Sequence, residues 1–190
     1  MTDARSIVEA EMSSPYAVGD TIGEVDADWR SLCVPYHAHA WLAARLLRRF
    51  GPNAQAERII DAEPEDAFVA LLRRVKPRSE TEVLSGVERL LRVHRALDEY
   101  HGVPVVPCAR NTFGELVALR GIPLLASAIY RDLERVPCRI FEVDAKLLPA
   151  TKRERYCHDM TGMIRRVLAQ HPHAVDAMRE LEEVLLKQTG

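Results

Sequence analysis

The chain has 190 residues, of which 47% are hydrophobic and 28% charged, a composition typical of soluble globular proteins. Lysine and arginine number 26 against 28 aspartates and glutamates, so the net charge is −2 with neutral histidines. This balance excludes a global positive field that would attract nucleic acid or an acidic membrane surface. The length predicts one domain with one core.

Cysteine usage and the N-terminal segment indicate a compartment. The four cysteines are widely separated and form no Cys-x-x-Cys pair. The first residues are acidic and lack the basic-then-apolar order of a signal peptide. No apolar run approaches the roughly 20 residues that span a bilayer. We therefore expect a reduced, cytoplasmic protein that does not bind membranes.

The N-terminal third is predicted to be helical. Residues 1–20 form an arm or short helix, with helical spacing over Ala4–Met12. Thr21 and Glu24 have capping-box spacing, which predicts a second helix from Thr21 until Pro35 interrupts it. The apolar stripe of that helix would be Ile22, Val25, Trp29 and Leu32.

The strongest helix signal covers residues 79–102. Ser79 and Glu82 have the spacing of a capping box, and Gly102 suits the left-handed turn that ends a helix. The apolar line between them consists of Val83, Val87, Leu90, His94, Leu97 and His101. Because the neighbouring helices are shorter or broken by proline, we expect this helix, about 80–101, to be central.

Capping residues, prolines and periodic apolar positions predict further helices along the chain. They cover about 35–50, 53–61, 64–76, 112–120, 123–135, 151–170 and 172 onward. Two segments, 103–107 and 138–143, are extended and could form a tiny two-stranded ladder. The predicted fold is all-α, a single helical domain over 21–190 with about seven to nine helices and at most a minor β element.

Two histidines on the central helix suggest a metal site. His94, Asp98 and His101 share one helical stripe, and an Asp-x-x-His spacing suits zinc or iron in helical proteins. His39, on the apolar face of the 35–50 helix, could join them across a helix interface. The alternative is a core role for His94 and a C-terminal-turn role for His101, and we favour that alternative.

Residues 112–135 have the outline of a helix-turn-helix motif. Its DNA-contacting residues would be Arg120, Ser127, Arg131 and Arg135. Leucines occupy the base-reading start of the second helix, and the charges around Arg131 cancel, which weakens phosphate binding. DNA binding is therefore an alternative that we do not favour.

The sequence contains no complete catalytic set: no nucleophile elbow, no phosphate-binding loop and no paired cysteines. We expect a cytoplasmic adaptor, regulatory or accessory protein that acts through contacts with another protein or a second copy of itself. The alternatives are the DNA-binding regulator and a metal-dependent helical enzyme centred on His94, Asp98 and His101.

Overall fold

The computed structural model describes residues 3–14, 21–33, 37–75 and 78–186, and at 37, 75, 172, 173, 185 and 186 it describes the backbone alone. The helices in this part of the chain are α1 (Ala4–Met12), α2 (His37–Phe50), α3 (Ala56–Ile60), α4 (Ala67–Val75), α5 (Glu80–Glu99), α6 (Ile122–Tyr130), α7 (Arg153–Leu168) and α8 (Pro172–Leu186). The strands are β1 (Thr21–Asp28), β2 (Val106–Arg110), β3 (Leu116–Ala118) and β4 (Arg135–Phe141).

The predicted all-α class is wrong, because the four strands form one mixed sheet in the order β1-β4-β2-β3. The β1–β4 and β2–β3 pairs are antiparallel, and the β2–β4 pair is parallel. The two segments expected to form a small ladder do lie side by side, with Val106 opposite Cys138. They form the middle of a larger sheet.

Strand β1 replaces the helix predicted from Thr21. Its Val25 and Ala27 point toward the core, whereas Ile22, Glu24 and Asp26 are exposed, which is the period of two that a half-buried strand requires. The stripe that suggested a helix fits a strand followed by the short 3₁₀ segment Trp29–Ser31. Pairing with β4, a distant segment of the chain, makes this segment a strand rather than a helix.

A β-hairpin replaces the helix predicted over 112–120, so the first helix of the proposed helix-turn-helix is wrong. The Asn111 side chain accepts hydrogen bonds from the backbone N–H groups of Phe113 and Glu115 at 2.9 and 3.0 Å. Gly114 adopts a left-handed φ of 76° that completes the turn. The hydrogen bonds of the Asn111 side chain therefore form a turn between β2 and β3, at the position where the sequence predicts a helix N-cap.

Helix α5 confirms the strongest sequence signal. The Ser79 N–H donates to the Glu82 carboxylate at 2.9 Å, and the Glu82 N–H donates to the Ser79 hydroxyl at 3.3 Å. The helix ends differently from the prediction, because His101 (φ 50°) rather than Gly102 adopts the left-handed conformation. The Gly102 N–H then donates to the Leu97 carbonyl, as in a Schellman motif.

Helix α2 is more enclosed than α5, the helix that the sequence predicts to be central. Helix α2 packs against α4, α6, α7 and α8, whereas α5 packs against α1, α3, α4 and α6 and keeps one face in solvent. Four alanines on α2 are at most 1% exposed and allow this close packing. They are Ala38, Ala40, Ala43 and Ala44.

Helix α6 begins and ends at left-handed residues, which makes it shorter than predicted. Gly121 (φ 102°) occupies its N-cap, and Asp132 (φ 55°) follows its last turn. The chain then enters β4 at Arg135 instead of continuing as a helix. Helix α6 packs against both α2 and α5, and its N-terminus borders the sheet.

Candidate ligand pocket

A cavity of about 190 Å³ lies where β2 and β3 meet the start of α6. We call it the α6 pocket. Most of its described walls are aliphatic, and two arginines border it. The lining residues are Ala40, Arg89, Val106, Ala118, Leu119, Arg120, Gly121, Ile122, Pro123 and Leu125.

Local sequence explains the shape of the pocket. The Leu119 N–H donates to the Pro107 carbonyl at 2.9 Å, which holds the end of β3 beside β2. Gly121 turns the chain sharply into α6, and a Cβ at this position would lie 3.3 Å from a Leu124 methyl group and 3.5 Å from the Pro107 ring. No side chain caps the N-terminus of α6, so the N–H groups of Ile122 and Leu124 are open to another acceptor, whereas Pro123 between them has none.

Arg120 supplies the polar side of the pocket. Its Nη1 donates to the Ala10 carbonyl of α1 over a long 3.4 Å. Its Nε is shielded from solvent and has no hydrogen-bond partner among the described residues. Leaving a buried donor without an acceptor is costly, so this guanidinium is suited to a bound acceptor.

Arg89, the second arginine, is already paired. Its Nε and Nη2 donate to the Glu11 carboxylate at 2.7 and 2.8 Å, and Glu11 is only 6% exposed. This hydrogen bond raises the pKa of Arg89, so its charge is secure. The pair anchors the last turn of α1 at the border of the α6 pocket.

Three further arginines line a larger groove of about 550 Å³ between α2 and α4. Each arginine is paired with a carboxylate, so the groove carries little free positive charge. The pairs are Arg45–Glu180, Arg48–Asp132 and Arg49–Asp66. We therefore favour the α6 pocket as the binding site.

The structure brings two of the predicted metal ligands together but separates the others. His94 and Asp98 approach to 3.5 Å between Nε2 and Oδ2, which is longer than a normal hydrogen bond. His101 is exposed after the helix end, and His39 lies on α2 against the Phe68 ring. No group of three or more His, Cys, Asp or Glu side chains is arranged to hold a metal in the described ranges. The zinc or iron site stays a prediction.

His94 has a structural partner that the sequence did not reveal. Its Nδ1 lies 2.9 Å from the Ser127 hydroxyl, and both residues are fully buried between α5 and α6. With Asp98 they have the composition of a catalytic triad, but no solvent path reaches the Ser127 hydroxyl. Burial lowers the pKa of His94, with Asp98 opposing the effect and Arg131 adding to it. The His94–Ser127 pair is a neutral polar contact in the core, whereas Asp98 beside it is half-exposed and pairs with Arg131.

The four predicted DNA-contacting residues do not form one surface. Arg120 borders the α6 pocket, and Ser127 is buried against His94. Arg131 pairs with Asp98 and donates to the Gly102 carbonyl, whereas Arg135 donates to the Asp26 carbonyl. DNA binding stays a prediction without the motif that suggested it.

Comparison of the chain with protein-family models, with curated proteins and with solved structures finds no match. Within the described ranges, none of the helices is both long and apolar enough to cross a membrane.

Proposed function

We propose that the protein is a regulatory or accessory protein that binds a small organic anion in the α6 pocket and acts through contacts with another protein. One observation carries this proposal. An apolar cavity is bordered by Arg120, whose shielded Nε donor has no acceptor among the described residues. Apolar cavities with a few convergent polar groups are the usual form of ligand sites.

The chemistry of the walls defines the ligand class. A guanidinium presents several donors in one plane and binds carboxylates with matching geometry. The open N-terminus of α6 also favours a negative group. A volume of about 190 Å³ equals roughly six water molecules. The ligand is therefore a small carboxylate with a compact apolar body.

Helix α1 offers a route from ligand to partner. Its last turn contributes the Glu11 carboxylate and the Ala10 carbonyl to the two arginines of the pocket. A ligand that binds Arg120 changes the contacts of this last turn of α1. A partner protein that binds α1 would respond to the change. A reducing compartment, the cytoplasm, is part of this proposal because four cysteines without a disulfide suit it.

Calorimetric titration of the full chain with matched ligands tests the proposal. Benzoate and hexanoate should bind, and benzyl alcohol and hexanol should bind at least about tenfold more weakly, since they lack the carboxylate. Arg120→Gln should remove this preference. Arg135→Gln, which changes an exposed arginine on β4, is the matched control and should leave binding unchanged.

A second variant separates pocket binding from surface binding. Ala118→Val adds two methyl groups to the pocket wall at a strand position that tolerates a β-branched residue. It should reduce carboxylate affinity while the thermal unfolding temperature stays near that of the parent. Equal binding by parent, Arg120→Gln and Ala118→Val would refute the α6 pocket as the site.

A further inference from the structure

Two cysteines far apart in the sequence meet beside β3. The backbone of Cys33 forms a bridge with Val117, and its side chain is fully buried. Cys157 lies in the second turn of α7 and is half-buried. Helix α7 therefore brings a solvent-accessible thiol to a buried one.

Several contacts hold Cys157 close to Cys33. The Cys157 sulfur lies 3.9 Å from the carbonyl oxygen of Leu32, the residue before Cys33. Tyr156, the neighbour of Cys157, packs against the apolar cluster that contains Cys33. The Cys157 side chain is also the largest influence on the pKa of Cys33, so the two thiols are close enough to interact. The Leu32 contact and the Tyr156 packing thus place Cys157 beside Cys33.

The two thiols differ in chemical character. Cys33 donates its S–H to Cys157, and this hydrogen bond, together with burial, raises the pKa of Cys33. Cys157 is the acceptor and the thiol that solvent reaches. The guanidinium of Arg153 lies one helical turn before Cys157 and is anchored by the Arg30 carbonyl at 3.0 Å. A nearby cation and partial exposure are typical of reactive cysteines.

We propose that Cys33 and Cys157 form an oxidation site, in which a hydroperoxide converts the two thiols into a disulfide. The Cys157 thiolate attacks the peroxide, the O–O bond breaks, and a sulfenic acid forms at Cys157 with release of water or an alcohol. The Cys33 sulfur then attacks the Cys157 sulfur, and the hydroxyl leaves as water with the Cys33 proton. Two thiols are oxidised and one peroxide is reduced, and a small thiol reverses the change by exchange. This site is independent of the α6 pocket.

The other two cysteines of the chain provide a comparison for the Cys33–Cys157 pair. Cys108 and Cys138 also influence each other's pKa, but both are fully buried in the middle of the sheet. They occupy diagonal positions on β2 and β4, because Cys108 is opposite Ile140 and Cys138 is opposite Val106. Diagonal neighbours lie roughly 7–8 Å apart at Cα, beyond the usual disulfide range. The Cys33–Cys157 pair differs from this buried pair because solvent reaches one of its two thiols.

Thiol counting on the full chain, before and after hydrogen peroxide, tests the proposal. The unfolded reduced protein should show four thiols, and the oxidised protein should show two. Peptide mapping should find the peptides of Cys33 and Cys157 linked, and dithiothreitol should restore four thiols. A linked Cys108–Cys138 peptide, an intermolecular link or retention of four thiols would overturn the proposal.

Single substitutions test the order of the steps. Cys33→Ala should leave a sulfenic acid at Cys157 that dimedone traps, and Cys157→Ala should consume peroxide at least about tenfold more slowly than the parent. Cys138→Ala is the control and should form the disulfide like the parent. If a variant fails to fold by circular dichroism, the peptide map of the parent decides. Trapping at Cys33 or Cys108 instead of Cys157 would refute the assignment.

Discussion

At the residue scale, two buried histidines make the protein sensitive to acid. His39 on α2 is 5% exposed, and His94 on α5 is fully enclosed. Burial lowers the pKa of His39 to about 4, and the nearby charge of Arg78 acts in the same direction. The pKa of His94 is lowered as well, again mainly by burial. Both rings are therefore neutral in the native state at neutral pH.

Acid titration of stability tests this reading of His39. The unfolded chain binds a proton near the ordinary pKa of 6.5, whereas the folded chain does so only near 4. Stability is therefore fully present above pH 6.5 and is lost as the pH falls toward 4. For His39 this loss is on the order of 3 kcal/mol. The free energy of unfolding, measured by denaturant titration across this window, should fall accordingly.

A substitution isolates the contribution of His39. His39→Gln cannot take up the proton, so its stability should depend less steeply on pH, even if its stability at neutral pH is lower. His158→Gln, which replaces an exposed histidine of α7, should keep the parent slope. An unchanged slope in His39→Gln would contradict the account.

At the element scale, α1 packs mainly against one other element, α5. Val8 inserts into a small cluster with α5 residues and Leu124 of α6. The Glu11–Arg89 pair adds a bidentate contact beside the α6 pocket. Helix α1 is therefore expected to open locally before the main core does.

Glu11→Gln tests the strength of this attachment. Loss of the carboxylate removes the ion pair and should cost on the order of 1–2 kcal/mol of local stability, because the pair is partly buried. Amide hydrogen exchange over residues 4–12 should become faster. Affinity for benzoate should rise, since Arg89 would be free to assist Arg120.

Glu9→Gln is the matched control for Glu11→Gln. Glu9 pairs with Arg5 within α1 and is exposed, so its loss should affect exchange by far less. Equal acceleration of exchange in the two variants would show that the Glu11–Arg89 pair does not anchor α1.

At the scale of the whole molecule, α2 is a helix around which four other helices pack. Nine of the thirteen described side chains of α2 are buried, and helices from both halves of the chain pack around it. Opening α2 therefore requires loss of most tertiary contacts.

Native-state hydrogen exchange tests this central role. The amides of Ala43 and Leu46 should exchange only through global unfolding and so be among the slowest. Those of α1 should be faster, as argued above. Slower exchange at amides of α5, such as that of Leu90, than at amides of α2 would contradict this role. It would indicate that α5 is the more stable helix.

The helices were largely predictable because their signals are local. The Ser79–Glu82 capping box and the apolar stripe of α5 involve residues one or two turns apart. Strand β1 was not predictable in this way. Its period of two covers only a few inward residues, and its partner β4 lies more than a hundred residues away. A helical template fits the same apolar positions until that partner is known.

The candidate site depended even more on tertiary contacts. Arg120 drew attention as a DNA-contacting residue, but nothing in the sequence linked it to Arg89 or to the last turn of α1. His94 was recognised on the buried face of α5, but its partner Ser127 belongs to another helix. The sequence Arg120-Gly121-Ile122-Pro123 did carry one local signal, the start of a helix after a cationic residue.

The position of β1 at the border of the sheet has a consequence for colloidal behaviour. In the described ranges no strand pairs with the outer side of β1, which leaves its backbone groups open to a strand of another molecule. Glu24 and Asp26 stand on its exposed face, and Ile22 beside them is 63% exposed. Glu24 pairs with Arg139 of β4 at 3.0 Å, so Asp26 is the carboxylate that two copies meeting side by side would bring together. Repulsion between the two Asp26 side chains opposes growth of a shared sheet, as charged residues on edge strands commonly do.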